Sequence, residues 1–206
     1  LSKIVGSTPL VNISDRLWAK LETYNPSGSV KDRMISWIVS EAVESGAIHA
    51  DSTLCDATSG NTGIALSLVA AKLGLACYIF MPKNMSEERK QMMRVFGTTV
   101  IDAPDDDFEK AIEMRDKFLA DNLNSWSPMQ FSNPLNVVCH EQTTGPEILS
   151  NAAYIDKKLE AFIHGAGTGG TIEGVRRYLM KRGSSAKVLM VKPSESPHGI
   201  QGIADG

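Results

Sequence analysis

Apolar residues along this chain alternate between helical spacing and short continuous runs, and the two patterns take turns. Val30, Met34, Ile35, Ile38, Val39, Ala42 and Val43 recur at helical spacing, which predicts a helix over 30–45 stopped by Gly46. Before it, residues 8–13 and 17–22 read as two strands with a tight connection at Ser14-Asp15-Arg16. After it come a strand at 53–56, a helix at 64–73 ended by Gly74, and a strand at 76–81. A helix capped by Ser86, with Glu88 and Arg89 in its first turn, then runs to Phe96, followed by a strand at 98–101. Phe108, Ala111, Ile112, Arg115 and Leu119 trace a further helix after the acidic turn Asp105-Asp106-Asp107. The helical period is lost from 125 to 134, where a crossover between two subdomains is expected. A helix at 143–150, a strand at 161–164, a helix at 172–181 and a strand at 188–191 complete the pattern. Strands alternating with helices of this length predict an α/β fold with doubly wound parallel sheets and ligands at the carboxyl ends of the strands.

Three polar stretches interrupt this pattern where chemistry can sit. The first, Asn25-Pro26-Ser27-Gly28-Ser29-Val30-Lys31-Asp32-Arg33, puts Lys31 in the first turn of a helix. The helix dipole disfavours a cation there by up to about 1 kcal/mol. A solvated surface lysine is the ordinary reading; a desolvated, less protonated amine is what Schiff-base chemistry requires. The second, residues 58–63, offers Thr58, Ser59, Asn61 and Thr62 as donors for a carboxylate at a helix start, or as a plain helix cap. The third, Gly165-Ala166-Gly167-Thr168-Gly169-Gly170-Thr171, follows a strand and opens a helix, so its amides and two hydroxyls suit a phosphate. It has no Walker lysine, and its dinucleotide-like glycine spacing is weak by itself. A lysine, a carboxylate loop and a phosphate loop together fit pyridoxal phosphate carrying an amino acid.

Composition narrows the choice of partner. The 206 residues carry 21 basic and 24 acidic side chains, a formal charge of −3, with no basic run of the kind that tracks a nucleic-acid backbone. Small-molecule chemistry is favoured over nucleic acid or membrane. Cys55, Cys77 and Cys139 show neither metal-ligand spacing nor a disulfide framework, and no apolar run approaches the roughly 18 residues that span a bilayer, so a cytoplasmic protein is expected. The acidic run at 105–107 is read as a solvated helix start rather than a metal site. His49, His140, His164 and His198 are read as structural or surface residues, and Met81, Met85, Met92 and Met93 as core filling.

The three loops, together with Met81-Pro82, Gln130-Phe131-Ser132-Asn133-Pro134 and Thr143-Thr144-Gly145-Pro146-Glu147-Ile148, closely resemble cysteine synthase, a fold-type II pyridoxal-phosphate enzyme related in architecture to the tryptophan synthase β chain. The resemblance runs in order along nearly the whole sequence. It implies that Lys31 is the catalytic lysine that binds the cofactor and that Asn61 bonds its ring hydroxyl. Gly167, Thr168, Gly169, Gly170 and Thr171 would hold its phosphate, and Thr58, Ser59, Gly60, Thr62 and Gln130 the substrate carboxylate. The implied reaction is β-replacement, in which O-acetylserine loses acetate and sulfide adds to form cysteine. It also implies a homodimer, serine acetyltransferase as a partner, and a smaller mobile domain at 34–132. The larger domain would comprise 1–33 and 133–206. Family members run past residue 206, so the large domain is expected to be incomplete at its C-terminus, without a Ser or Thr partner for the pyridine nitrogen. The run at 193–203 is closer in length to the B-type enzymes. Rival readings are a non-catalytic pyridoxal-phosphate fold that binds a ligand or partner, and cystathionine β-synthase or serine/threonine dehydratase chemistry.

Overall fold

Strands β1 (Leu10–Ser14) and β2 (Leu17–Lys20) form an antiparallel hairpin, with a register irregularity between Asn12 and Ser14. A single 3₁₀ turn at Glu22–Tyr24 leads toward helix α1 (Lys31–Glu44), whose first residue is the lysine of interest. Then follow β3 (Thr53–Ala57), α2 (Asn61–Leu73), β4 (Ala76–Pro82), α3 (Glu87–Val95), β5 (Thr99–Ala103) and α4 (Phe108–Asp121). The last elements are β6 (Ser125–Trp126), α5 (Leu135–Gln142), α6 (Thr144–Tyr154), β7 (Ala161–Gly165), α7 (Gly170–Lys181) and β8 (Lys187–Val191). The computed structural model describes residues 4–105, 107–155, 158–196, 198, 200 and 202–204. Asp106 of the acidic run and Pro197, Gly199 and Gln201 of the 193–203 run lie outside the described residues.

The chain divides into two units, Leu1–Val5 with Glu22–Met129 and Gly6–Leu21 with Gln130–Gly206. By contacts the lysine turn belongs to the first unit.

In the first unit a four-stranded parallel sheet has the order β5-β4-β3-β6. The chain builds outward from β3 to β4 and β5, then returns to pair β6 on the other side of β3. Strand order therefore reverses at β3, and the crevice beyond the carboxyl end of that strand is where such sheets bind ligands. Helix α4 covers one face, packing Phe108, Ile112 and Phe118 on Cys55, Ala57, Phe80 and Ala103. Helix α2 packs on β3 and β4, and α1 packs on α2. In the second unit β7 and β8 pair in parallel, while Ile148, Val175 and Leu179 join Phe162 and Val188 in a smaller core.

Several boundaries differ from those expected. Helix α2 begins at Asn61, not Ile64, because its opening turn is polar and carries no apolar period. Helix α5 fills residues 135–142, between the expected crossover at 125–134 and the expected helix at 143–150, where no element is expected. Strand β6, two residues long, occupies part of the expected crossover. Ser86 is the residue before α3, but its side chain makes no capping bond and bonds Glu88 instead, at 2.6 Å.

Candidate active site

Lys31 is held by a turn whose hydrogen bonds account for most of its sequence. Gly28 has φ +87°, the left-handed region that favours glycine, and its N–H donates to Asn25 O at 2.8 Å. Ser27 N–H donates to Asp32 Oδ2 at 2.8 Å, and Lys31 N–H donates to Ser29 Oγ at 3.2 Å. Arg33, almost fully buried, grips Glu22 through one guanidinium edge, Nε at 2.7 Å and Nη2 at 2.8 Å, and Asn25 donates to the same carboxylate. The backbone on either side of Lys31 is thereby fixed. Burial raises the Asp32 carboxyl above its ordinary range, and its bonds from Ser27 oppose that rise.

The loop after β3 leads into α2 at the point where strand order reverses. Thr58 continues the β3–β4 pairing, its N–H donating to Phe80 O at 3.1 Å, and its hydroxyl accepts from Gly60 N–H at 3.2 Å. Asn61 and Thr62 occupy the first turn of α2, where the first N–H groups of a helix have no intrahelical acceptor. Gly63 lets Thr58 and Met93 close on the helix start, since a Cβ there would lie 2.7 Å from Met93 Cε and 2.8 Å from Thr58 Cγ2 and would force them to shift. Arg89 of α3 donates to Ser59 O at 3.1 Å. Sequence reasoning placed Arg89 only in a first helical turn and missed that it braces this loop.

Beneath the loop, β3 ends in a buried charged pair. Asp56 Oδ1 lies 3.3 Å from Arg115 Nη1 on α4 and accepts from Ser127 Oγ at 3.3 Å. Arg115 also meets Asp116 at 2.6 Å. Burial pushes the Asp56 carboxyl up to about 7, against the opposing pull of Arg115. The same burial pushes the Cys55 thiol to about 12 and the Cys77 thiol to about 11, so both stay protonated and inert.

In the second unit the glycine-rich loop leaves β7 and opens α7. Gly169 has φ +80° and open space where a Cβ would point, while a Cβ on Gly167 would sit 2.5 Å from Gly202 O. Ala204 N–H donates to Ala166 O at 2.9 Å, so residues 202–204 lie along this loop. The first helical bond of α7 runs from Glu173 N–H to Gly169 O at 3.1 Å, and the N–H groups before it point out of the helix start. Two buried side chains of α5 hold the hydroxyls: Asn136 Nδ2 donates to Thr168 Oγ1 at 2.8 Å and to Gln130 O at 3.0 Å. His140 Nε2 lies 3.2 Å from Thr171 Oγ1 and its Nδ1 lies 2.8 Å from Thr144 Oγ1. Asn136 and His140 were not foreseen as site residues, because partners about thirty residues apart leave no local signal.

These residues fit pyridoxal phosphate. In the second unit the open-faced Gly169, the amides at the start of a 12-residue helix and two hydroxyls suit a phosphate, and in the first unit Lys31 is an amine on a fixed backbone. Among the described residues no cluster of His, Cys, Asp and Glu is arranged to hold a metal ion, and no helix is long and apolar enough to cross a membrane.

A family model described as pyridoxal-phosphate dependent enzyme matches residues 1–206. The chain is 38% identical to a cysteine synthase of a Flavobacterium species over 98% of its length, covering 70% of that protein. It superposes on a hydrogen sulfide-producing enzyme from Fusobacterium nucleatum with a TM-score of 0.91 at 35% identity, over 99% of this chain and 67% of that one. An O-acetylserine dependent cystathionine β-synthase from Helicobacter pylori matches with a TM-score of 0.89 at 34% identity, over 98% and 71%. With the lysine turn, the donor-rich loop and the glycine cradle all present in a chain matched throughout, the protein belongs to the pyridoxal-phosphate dependent enzymes of the cysteine synthase type.

Proposed function

We propose that the protein catalyses a β-replacement that makes L-cysteine from O-acetyl-L-serine and sulfide or another sulfur donor. The observation that carries this reading is the loop at 58–60, set where strand order reverses, in the same unit as the fixed turn bearing Lys31. The reading is supported by relatives named cysteine synthase and by a structural neighbour described as O-acetylserine dependent. Bound pyridoxal phosphate would supply an electron sink for a carbanion next to the substrate carboxylate.

The chain's own residues do the rest. Thr58, Ser59, Gly60, Thr62 and Gln130 bind the carboxylate and so orient the Cα–H bond for cleavage. Lys31 Nζ would hold the cofactor, and as a free amine it would take the α-proton. Asn61 would bond the ring hydroxyl, and Gly167, Thr168, Gly169, Gly170 and Thr171 would hold the phosphate. The segment 34–132 acts as the mobile domain that excludes water. A cytoplasmic homodimer that engages serine acetyltransferase belongs to the same reading.

The test is the visible absorbance of the purified chain with pyridoxal phosphate, before and after O-acetylserine, beside Lys31→Ala. A band that needs Lys31 and shifts with O-acetylserine is expected. A band that never responds to O-acetylserine would favour a cofactor-binding protein without turnover. Product assays with O-acetylserine plus sulfide, against serine plus homocysteine, then separate cysteine synthase from cystathionine β-synthase chemistry.

A further inference from the structure

Helix α5 carries Asn136 and His140 one turn apart, both almost fully buried, and each meets a hydroxyl of the glycine-rich loop. We infer that these two side chains are positioning residues that set the hydroxyl protons of Thr168 and Thr171 outward, as donors to the cofactor phosphate. The inference deepens the reading that this loop binds phosphate and rests on it.

The direction of the Asn136 bonds follows from its partners. Gln130 O can only accept, so the amide edge that faces it is the NH₂ group. The same nitrogen reaches Thr168 Oγ1, which must therefore accept. A threonine hydroxyl that accepts through a lone pair still has its one proton to give. Thr168 is left with a proton directed elsewhere, and Gln130, a proposed carboxylate residue, is tied to the phosphate loop through one amide.

His140 poses the same question with two answers. If Nε2 carries the proton, it donates to Thr171 Oγ1, Nδ1 accepts from the Thr144 hydroxyl, and Thr171 keeps its proton for a phosphate oxygen. If Nδ1 carries it, Thr171 spends its proton on the ring. We assign the Nε2–H form, because only it makes both loop hydroxyls donors toward an anion.

Close packing keeps the two residues in place. A Cβ on Gly174 would lie 2.5 Å from Val137 O and 2.6 Å from His140 Cβ, and a Cβ on Gly170 would collide with the Asn136 amide. The two glycines, four residues apart on α7, let α5 come near enough for its side chains to reach the loop.

The first test is side-chain ¹⁵N chemical shifts of His140 in the full 206-residue chain without cofactor. Nε2 protonated and Nδ1 bare is expected; the reverse overturns the assignment. The second is binding of pyridoxal phosphate and of unphosphorylated pyridoxal to His140→Gln, His140→Asn, Asn136→Asp and Thr171→Val, with circular dichroism to verify folding. Gln places its NH₂ near the Nε2 position and Asn does not. Relative to wild type, His140→Gln should hold pyridoxal phosphate within about threefold. His140→Asn, Asn136→Asp and Thr171→Val should each weaken it about tenfold or more, with pyridoxal affinity little changed. If Thr171→Val weakens binding while His140→Gln and His140→Asn behave alike, the positioning role fails and the phosphate loop stands. If wild type does not prefer pyridoxal phosphate over pyridoxal, the phosphate reading fails and takes this inference with it.

Discussion

Asp56, buried, and Glu22, half-buried, show how single carboxyl groups brace the loop after β3 and the lysine turn of the first unit. The Asp56 carboxyl, pushed up to about 7 by burial, binds a proton more tightly folded than unfolded. Its contribution to stability is therefore complete below the unfolded value of about 4 and is lost as pH rises through about 7. Chemical denaturation between about pH 4 and 7 should show stability falling through this group by up to about 1.4 kcal/mol per pH unit and levelling above 7, and Asp56→Asn should flatten that slope. A slope unchanged in the variant would mean that Arg115 holds the carboxylate ionised. Glu22 is the counter-charge of Arg33, whose side chain is 1% exposed. Glu22→Gln removes that counter-charge and should cost about 2–3 kcal/mol of unfolding free energy, read from the denaturation midpoint. Little of this second layer was legible in the sequence. The motif residues from Asn25 to Arg33 stand out as a turn, but the pairing of Arg33 with a glutamate eleven residues earlier leaves no periodic trace.

At the scale of elements, the strand–loop–helix units were legible because parallel strands are buried on both faces and read as apolar runs, as in 76–81. What escaped were elements whose reason for existing is tertiary. Helix α5 starts after Pro134 and has no apolar stripe, since it is held by α7 on one side and by polar bonds to the glycine-rich loop; Asn136, His140 and Glu141 are all buried. The polar start of α2 escaped for a related reason, since Asn61 and Thr62 carry no apolar period. The α5–α7 contact makes its own prediction. Gly174→Ala would press a methyl group against the α5 backbone, and such overpacking costs about 1–3 kcal/mol. A fall in melting temperature of roughly 2–10 °C should follow, with loss of pyridoxal phosphate affinity as Asn136 and His140 withdraw. Gly183→Ala, at a left-handed turn after α7 with open space around it, should lower stability without that loss of affinity.

At the scale of the whole molecule, the two units differ in how much core each has. Among the described residues, ten of the twelve largest fully buried side chains belong to the first unit, and only His140 and Leu179 to the second. The second unit's sheet leaves Ile163, Leu189, Met190 and Val191 about half exposed. Local opening free energy follows buried apolar contact, so the amides of β7 and β8 should exchange with deuterium well before those of β3 and β4. A ligand that binds only the folded form adds RT ln(1 + [L]/Kd), about 2.7 kcal/mol at a hundredfold excess over Kd. If the phosphate is held by the loop at 167–171, pyridoxal phosphate should slow exchange in β7 and α7 by up to about a hundredfold. Lys31→Ala would remove the proposed covalent attachment but leave the loop at 167–171 unchanged, so part of the protection in α7 should survive in that variant. Protection confined to α1 and α2 would instead place the cofactor's grip on the lysine turn and the loop after β3, and would remove the glycine-rich loop from the site.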